Sequence, residues 1–115
     1  MSTIKSRPTV PAFRNVDAAL VPRGAPRPRI IDVREPAEFN GPLGHIPGAE
    51  LVPLGMLEAS ARAWDREAPV VVVCRSGARS ARAATLLVQL GFRDIVNLEG
   101  GTQRYAEAGL PVERG

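Results

Sequence analysis

The sequence predicts an α/β domain built on a mostly parallel sheet, and three observations carry that prediction. Strand-like and helix-like segments alternate along the chain from Ile30 onward. The run "VVVV", residues 70 to 73, shows no in–out alternation, as expected of a strand buried on both faces in the middle of a parallel sheet. From Ser80 the pattern changes to a helical period, with Ala83, Leu86, Leu87 and Leu90 on one face and Arg82, Thr85 and Gln89 on the other.

Taken in order, residues 1 to 14 hold two prolines and no periodicity, and are expected to form an arm or edge element before a domain spanning 15 to 115. "NVDAAL", 15 to 20, is expected to open a short helix, with Asn15 or Asp17 near its start. "VPRGAPRPR" is a connector dense in proline and glycine, and "IIDV", 30 to 33, a short strand. "REPAEF" suits a helical turn, with Pro36 in the first turn and Glu35 and Glu38 favouring the positive end of the dipole. "NGPLGHIPGA" is a loop, and "ELVPL" a very short strand. A helix follows over 55 to 64, with Leu57, Ala61 and Trp64 on one apolar face. After the valine strand and the long helix, stopped by Gly91, "DIVNL" is a strand, "EGG" a turn and "TQRYAEA" a final helix.

At 115 residues the chain is expected to form one domain, and a 44% apolar and 23% charged composition is that of a globular protein. No apolar run approaches the roughly 20 residues that span a bilayer. The N-terminal "MSTIKSRPTVPAFR" contains no apolar stretch for a signal peptide, so a cytoplasmic location is expected, with no membrane partner. Net charge is +3, but the basic residues are scattered and only five aromatic residues are present. Nucleic acid, which calls for a basic patch with stacking rings, is therefore not an expected partner. One cysteine and one histidine, Cys74 and His45, leave no recognisable metal-ligand spacing and no disulfide, so no metal or other cofactor is expected.

The single cysteine stands where the valine strand ends, the edge at which α/β sheets bind ligands. Cys74, Arg75, Ser76, Gly77, Ala78 and Arg79 make a short loop, with Ser80 placed to cap the following helix. Gly77 and Ala78 let the backbone curl so that successive N–H groups face inward as an anion-binding nest. The helix N-terminus and the two arginines also favour a negative sulfur, and Arg75 and Arg79 could grip an oxyanion. A cysteine after a valine run is otherwise a small buried hydrophobe. Two adjacent arginines and a glycine cradle favour a reactive thiol instead.

Four segments in order, "IDVREPAEF", "GHIPGA", "VVVVCRSGARSARAA" and "NLEGG…AGLPVE", resemble the single-domain rhodanese family of sulfurtransferases over residues 30 to 112. The resemblance implies a rhodanese-like α/β fold, a central parallel sheet of about five strands flanked by helices. It also implies that Cys74 accepts a sulfane sulfur as a persulfide, and that Arg75, Ser76, Gly77, Ala78, Arg79 and Ser80 form the loop around it. The implied partners are a small anionic sulfur donor such as thiosulfate, and a thiol, cyanide or protein acceptor, with no cofactor. A sulfur-relay carrier or regulatory module of low turnover is the alternative. Phosphatases and arsenate reductases of related fold carry an arginine six positions after the cysteine, where this chain has Ser80. Asp32 and Arg34 are expected to pair structurally near the cleft, His45 to pin a turn, Trp64 and Tyr105 to lie in the core, and Glu99 to Gly101 to support the loop.

Overall fold

The computed structural model describes residues 13–21 and 28–114. Among these residues five strands form one sheet: β1 Arg14–Asp17, β2 Arg29–Asp32, β3 Glu50–Leu51, β4 Val70–Val73 and β5 Ile95–Glu99. Every pairing is parallel, in the order β1-β5-β4-β2-β3. Among the described residues the α-helices are α1 Pro36–Phe39, α2 Leu57–Ala61, α3 Ala78–Gln89 and α4 Gly101–Glu107. The predicted α/β class, the five-stranded parallel sheet and the flanking helices are all present.

The period-2 geometry of the strands divides the core into two layers. Ile31, Val70, Val72 and Ile95 pack on one face with Leu57, Ala61, Ala83, Ala84, Leu87 and Phe92. Ile30, Val71, Val73 and Leu98 pack on the other with Ala18, Ile46 and Tyr105. All four valines of β4 are buried, which is why that strand shows no alternation in sequence. Burying each such side chain contributes about 1.5–3 kcal/mol relative to leaving it in water.

Two segments depart from the predicted secondary structure. Residues Arg14–Asp17 are a strand rather than the start of a helix, with Asn15 opposite Asn97 and Val16 opposite Leu98 on β5. "RNVD" carries one apolar residue, so its identity as a strand comes from the ladder beside it and not from local preference. Helical structure is confined to a 3-10 turn at Ala18–Leu20, where the Asp17 carboxylate accepts from the Ala19 N–H at 2.9 Å. Arg14 thus belongs to the sheet, while residues 1–12 of the expected arm lie outside the described residues.

The helix expected over 55 to 64 is a 3-10 turn at Leu54–Met56 followed by α2, which ends at Ala61. Arg66 accounts for the early stop. Its guanidinium donates to the carbonyls of Ala61 at 3.0 Å, Trp64 at 2.8 Å and Leu90 at 2.9 Å, tying the ends of α2 and α3 together. Trp64 is half-buried, edge-on to Phe92 with centroids 6.2 Å apart, and Arg29 lies 4.1 Å over its ring. Among the described residues no helix is long and apolar enough to cross a membrane.

The topology fixes where chemistry can sit. From β2 the chain passes outward to β3, whereas from β4 it passes to β5 on the other side. The carboxyl ends of β2 and β4 are therefore a topological switch point, where the connections diverge and leave a crevice. Asp32 ends β2, and Cys74 follows β4 directly.

Candidate active site

At the carboxyl end of β4 the chain turns through Cys74 to Gly77 and enters α3. Gly77 has φ +111°, a conformation that L side chains rarely adopt, and it is the cap residue of α3. Ser80, expected at the cap, lies in the first helical turn instead and is fully buried. Its hydroxyl faces the sulfur rather than a helix N–H.

The Cys74 sulfur sits at the base of the loop, with the residue 1% exposed. The Gly77 N–H donates to Sγ at 3.0 Å, and the Ser80 Oγ lies 3.3 Å from Sγ. Burial of the sulfur alone pushes the thiol up. The Ser80 hydroxyl and the N–H groups of Ser80, Gly77 and Ser76 outweigh it, so the Cys74 thiol lies below its ordinary value. Hydrogen-bond donors carry this shift, where the sequence also points to the two arginines.

The orientation of those donors is set from α4. The Cys74 carbonyl accepts from the Thr102 N–H at 2.8 Å and from its hydroxyl at 3.1 Å, and the Arg75 carbonyl accepts from the Gln103 N–H at 3.0 Å. In a trans peptide the C=O and the following N–H point in opposite directions. Holding the Arg75 carbonyl against α4 thus turns the Ser76 N–H toward the sulfur. Gly101 makes this approach possible: it has φ +61°, and a Cβ there would collide with the carbonyl oxygens of Cys74 and Arg75. The expected supporting role of the Glu99–Gly101 turn takes this concrete form.

The two loop arginines differ. Arg79 forms a two-pronged pair with Glu38 on α1, both contacts at 2.7 Å, and these hydrogen bonds hold the Glu38 carboxyl down to about 2. Arg79 also feels the charge of the sulfur. Arg75 is exposed, has no ion-pair partner among the described residues, and lines a cleft of about 360 Å³ with Arg34, Glu38, Pro42 and Leu43. Arg75 is thus the cation open to a ligand, and Arg79 is engaged.

Asp32 and Arg34 form a fully buried pair, Nη2 to Oδ2 at 2.8 Å, and the guanidinium also donates to the Gly44 carbonyl at 2.8 Å. His45 stacks on Phe39, centroids 3.6 Å apart, with Nδ1 2.9 Å from the Phe39 carbonyl. Its backbone exchanges two hydrogen bonds with Glu113, both 2.8 Å. These residues anchor the loop after α1, the structural roles expected of them. Tyr105 is buried and donates its hydroxyl to the Pro111 carbonyl at 2.8 Å.

Four contributors are not legible as site residues in the sequence: Glu38, Asn97, Thr102 and Gln103. Asn97 is 3% exposed, with Oδ1 2.5 Å from the Ser80 hydroxyl and Nδ2 3.0 Å from the Asn15 Oδ1. Its one local signal is an amide inside the apolar strand "DIVNL".

Comparison with known proteins places this architecture. The model of the rhodanese-like domain matches residues 16–108. A sulfurtransferase of Allochromatium vinosum is 37% identical over 83 residues, covering 72% of this chain and 76% of that protein. The thiosulfate sulfurtransferase GlpE of Pseudomonas fluorescens is 39% identical over 76 residues, covering 66% and 68%. An uncharacterized protein of Bacillus subtilis, YqhL, is 40% identical over 82 residues, 71% of this chain, and the match spans just 64% of that longer protein. Among solved structures, a rhodanese-related protein of Thermoplasma volcanium is 35% identical with a TM-score of 0.75, covering 85% of this chain and 95% of that one. With the rhodanese-like domain model matched over residues 16–108 and sulfurtransferases among its relatives, the chain belongs to the rhodanese-like domain family.

Proposed function

We propose that the protein is a sulfurtransferase that carries a sulfane sulfur from thiosulfate, or a similar small anion, as a persulfide on Cys74. The observation that carries this reading is the set of backbone N–H groups turned on Sγ, that of Gly77 at 3.0 Å together with those of Ser76 and Ser80, beside the Ser80 Oγ at 3.3 Å. Donors fixed in that way stabilise a negative sulfur, both as the attacking thiolate and as the terminal atom of a persulfide. The thiolate attacks the outer sulfur of thiosulfate, a sulfur–sulfur bond to Cys74 forms, and the old sulfur–sulfur bond breaks with its electron pair leaving on sulfite. Attack by cyanide or a thiol on the terminal sulfur then returns the Cys74 thiolate. Arg75, exposed and lining the cleft, meets the oxyanion.

A second reading is a sulfur-relay carrier, favoured by the recessed sulfur at 1% exposure, which a docked partner could approach more readily than a free acceptor. A phosphatase or arsenate reductase is disfavoured because position 80 holds a buried serine hydroxyl facing the sulfur, with no guanidinium there. The test is the mass of the intact protein after thiosulfate treatment. Gain of one sulfur atom, reversed by cyanide and absent in Cys74→Ser, is expected. Fast thiocyanate production marks an enzyme, and slow production with rapid transfer to one protein partner marks a carrier. No gain of sulfur rejects both.

A further inference from the structure

We propose that Asn97 and Asn15 are a two-state positioning pair that decides whether the Ser80 hydroxyl gives its hydrogen to Asn97 or to the Cys74 sulfur. The proposal rests on Cys74 being the nucleophile, and it adds a device that the sulfur-transfer reading does not require.

The Ser80 hydroxyl has one hydrogen and three acceptors in reach: the Asn97 Oδ1 at 2.5 Å, the Gly77 carbonyl at 3.2 Å and the Cys74 Sγ at 3.3 Å. A hydroxyl donates once, and an amide oxygen only accepts. In the arrangement described, the Asn97 Nδ2 donates outward to the Asn15 Oδ1 at 3.0 Å, which leaves its Oδ1 against Ser80. The shortest contact takes the hydrogen, and the Ser80 oxygen then presents a lone pair to the sulfur. That state suits a thiol, whose S–H can donate to Ser80.

A thiolate needs the reverse. Once the Ser80 hydrogen turns to Sγ, two oxygens without a hydrogen between them would face each other across the Ser80–Asn97 contact. The conflict disappears if the Asn97 amide turns over, so that its NH2 donates to Ser80 and its oxygen faces Asn15. The Asn15 amide then turns as well and donates to Asn97. Turning Asn97 forfeits only the long 3.5 Å contact of Nδ2 with the Gly77 carbonyl. Asn15 is exposed on the edge strand, so its amide is free to reorient. The two asparagines stand directly opposite in the β1–β5 ladder, which fixes their separation. A directional chain thus runs from Asn15 through Asn97 and Ser80 to the sulfur, and its sense reverses with the charge of Cys74.

The charged groups on the elements packed about the sulfur and the two asparagines lie outside this chain, and on β1 and α4 they are paired, Arg14 with Asp94 and Asp17 with Arg104. From α3 comes Arg79, neutralised by Glu38 of α1, and from the end of β2 comes Asp32, neutralised by Arg34. The loop itself adds the exposed Arg75, α4 presents the uncharged Thr102 and Gln103, and on β5 the nearest charge is the exposed Glu99.

The test reads the Cys74 thiolate directly, as the rate of alkylation by iodoacetamide across pH with no sulfur donor present. Absence of sulfur transfer would reject the proposed function without touching this result. Asn15→Asp can only accept, so it locks the Asn97 oxygen on Ser80. The midpoint of alkylation should rise by about one pH unit, a tenfold loss of thiolate at fixed pH. Asn15→Ala removes the outward acceptor and should leave the midpoint at or below that of the parent. The rise in Asn15→Asp should persist in 1 M salt, where a through-space effect of an exposed carboxylate is screened within about 3 Å. It should vanish in the Ser80→Ala background, where there is no hydroxyl to orient. Equal midpoints for Asn15→Asp and Asn15→Ala, a rise abolished by salt, or a rise retained in Ser80→Ala would overturn the proposal.

Discussion

At the scale of single residues, the lowering of the Cys74 thiol follows from hydrogen-bond donors in its own loop and not from net charge. Ser80 is the clearest case. Helix-capping preference places it at the cap, yet the cap is Gly77, because only a residue at φ +111° lets the backbone double back under the sulfur. Ser80 is freed by that turn to face Sγ. Replacing it with alanine removes one hydrogen bond to a charged sulfur, worth about 1.5–3 kcal/mol. The thiolate midpoint of Ser80→Ala should rise by one unit or more, measured by absorbance of the thiolate across pH. Gly77→Ala places a side chain in left-handed backbone at an added cost of about 1–3 kcal/mol, which thermal unfolding would register as a lower Tm.

At the scale of elements, the loop is held by helices that the chain reaches much later or much earlier. Strand β4 was readable to the residue because four consecutive valines buried on both faces leave a continuous apolar run. Strand β1 was not, since "RNVD" becomes a strand only by pairing with β5 some eighty residues on. Arg79 was legible as a cation beside the sulfur, but its partner Glu38, on α1, was not, because sequence patterns carry no information about contacts between distant elements. Removing that partner should set Arg79 free: Glu38→Gln is expected to alter KM for an anionic donor more than kcat. The same pair has a pH signature. The Glu38 carboxyl lies at about 2 against an ordinary 4.5, so its contribution to stability is complete above the ordinary value and is lost as pH falls toward 2. Acid unfolding of Glu38→Gln should lack that component. A different consequence holds for the buried pair: Asp32→Ala leaves the Arg34 guanidinium uncompensated, and destabilisation of about 3–5 kcal/mol is expected in denaturant titration.

At the scale of the whole molecule, the parallel order β1-β5-β4-β2-β3 sends the connections from β2 and β4 in opposite directions and opens a crevice at their carboxyl ends. Helix α3 points its positive end into that crevice, while α4 grips the carbonyls of the loop from the other side and keeps its amides inward. The fold thereby turns a thiol that burial alone would make inert into one that is ionised more readily. The direct measurement is the pH dependence of Cys74 alkylation in the unmodified protein. A midpoint below that of the same cysteine in the unfolded chain is predicted. A midpoint at or above that value would contradict the assignment of the loop as a cradle for negative sulfur.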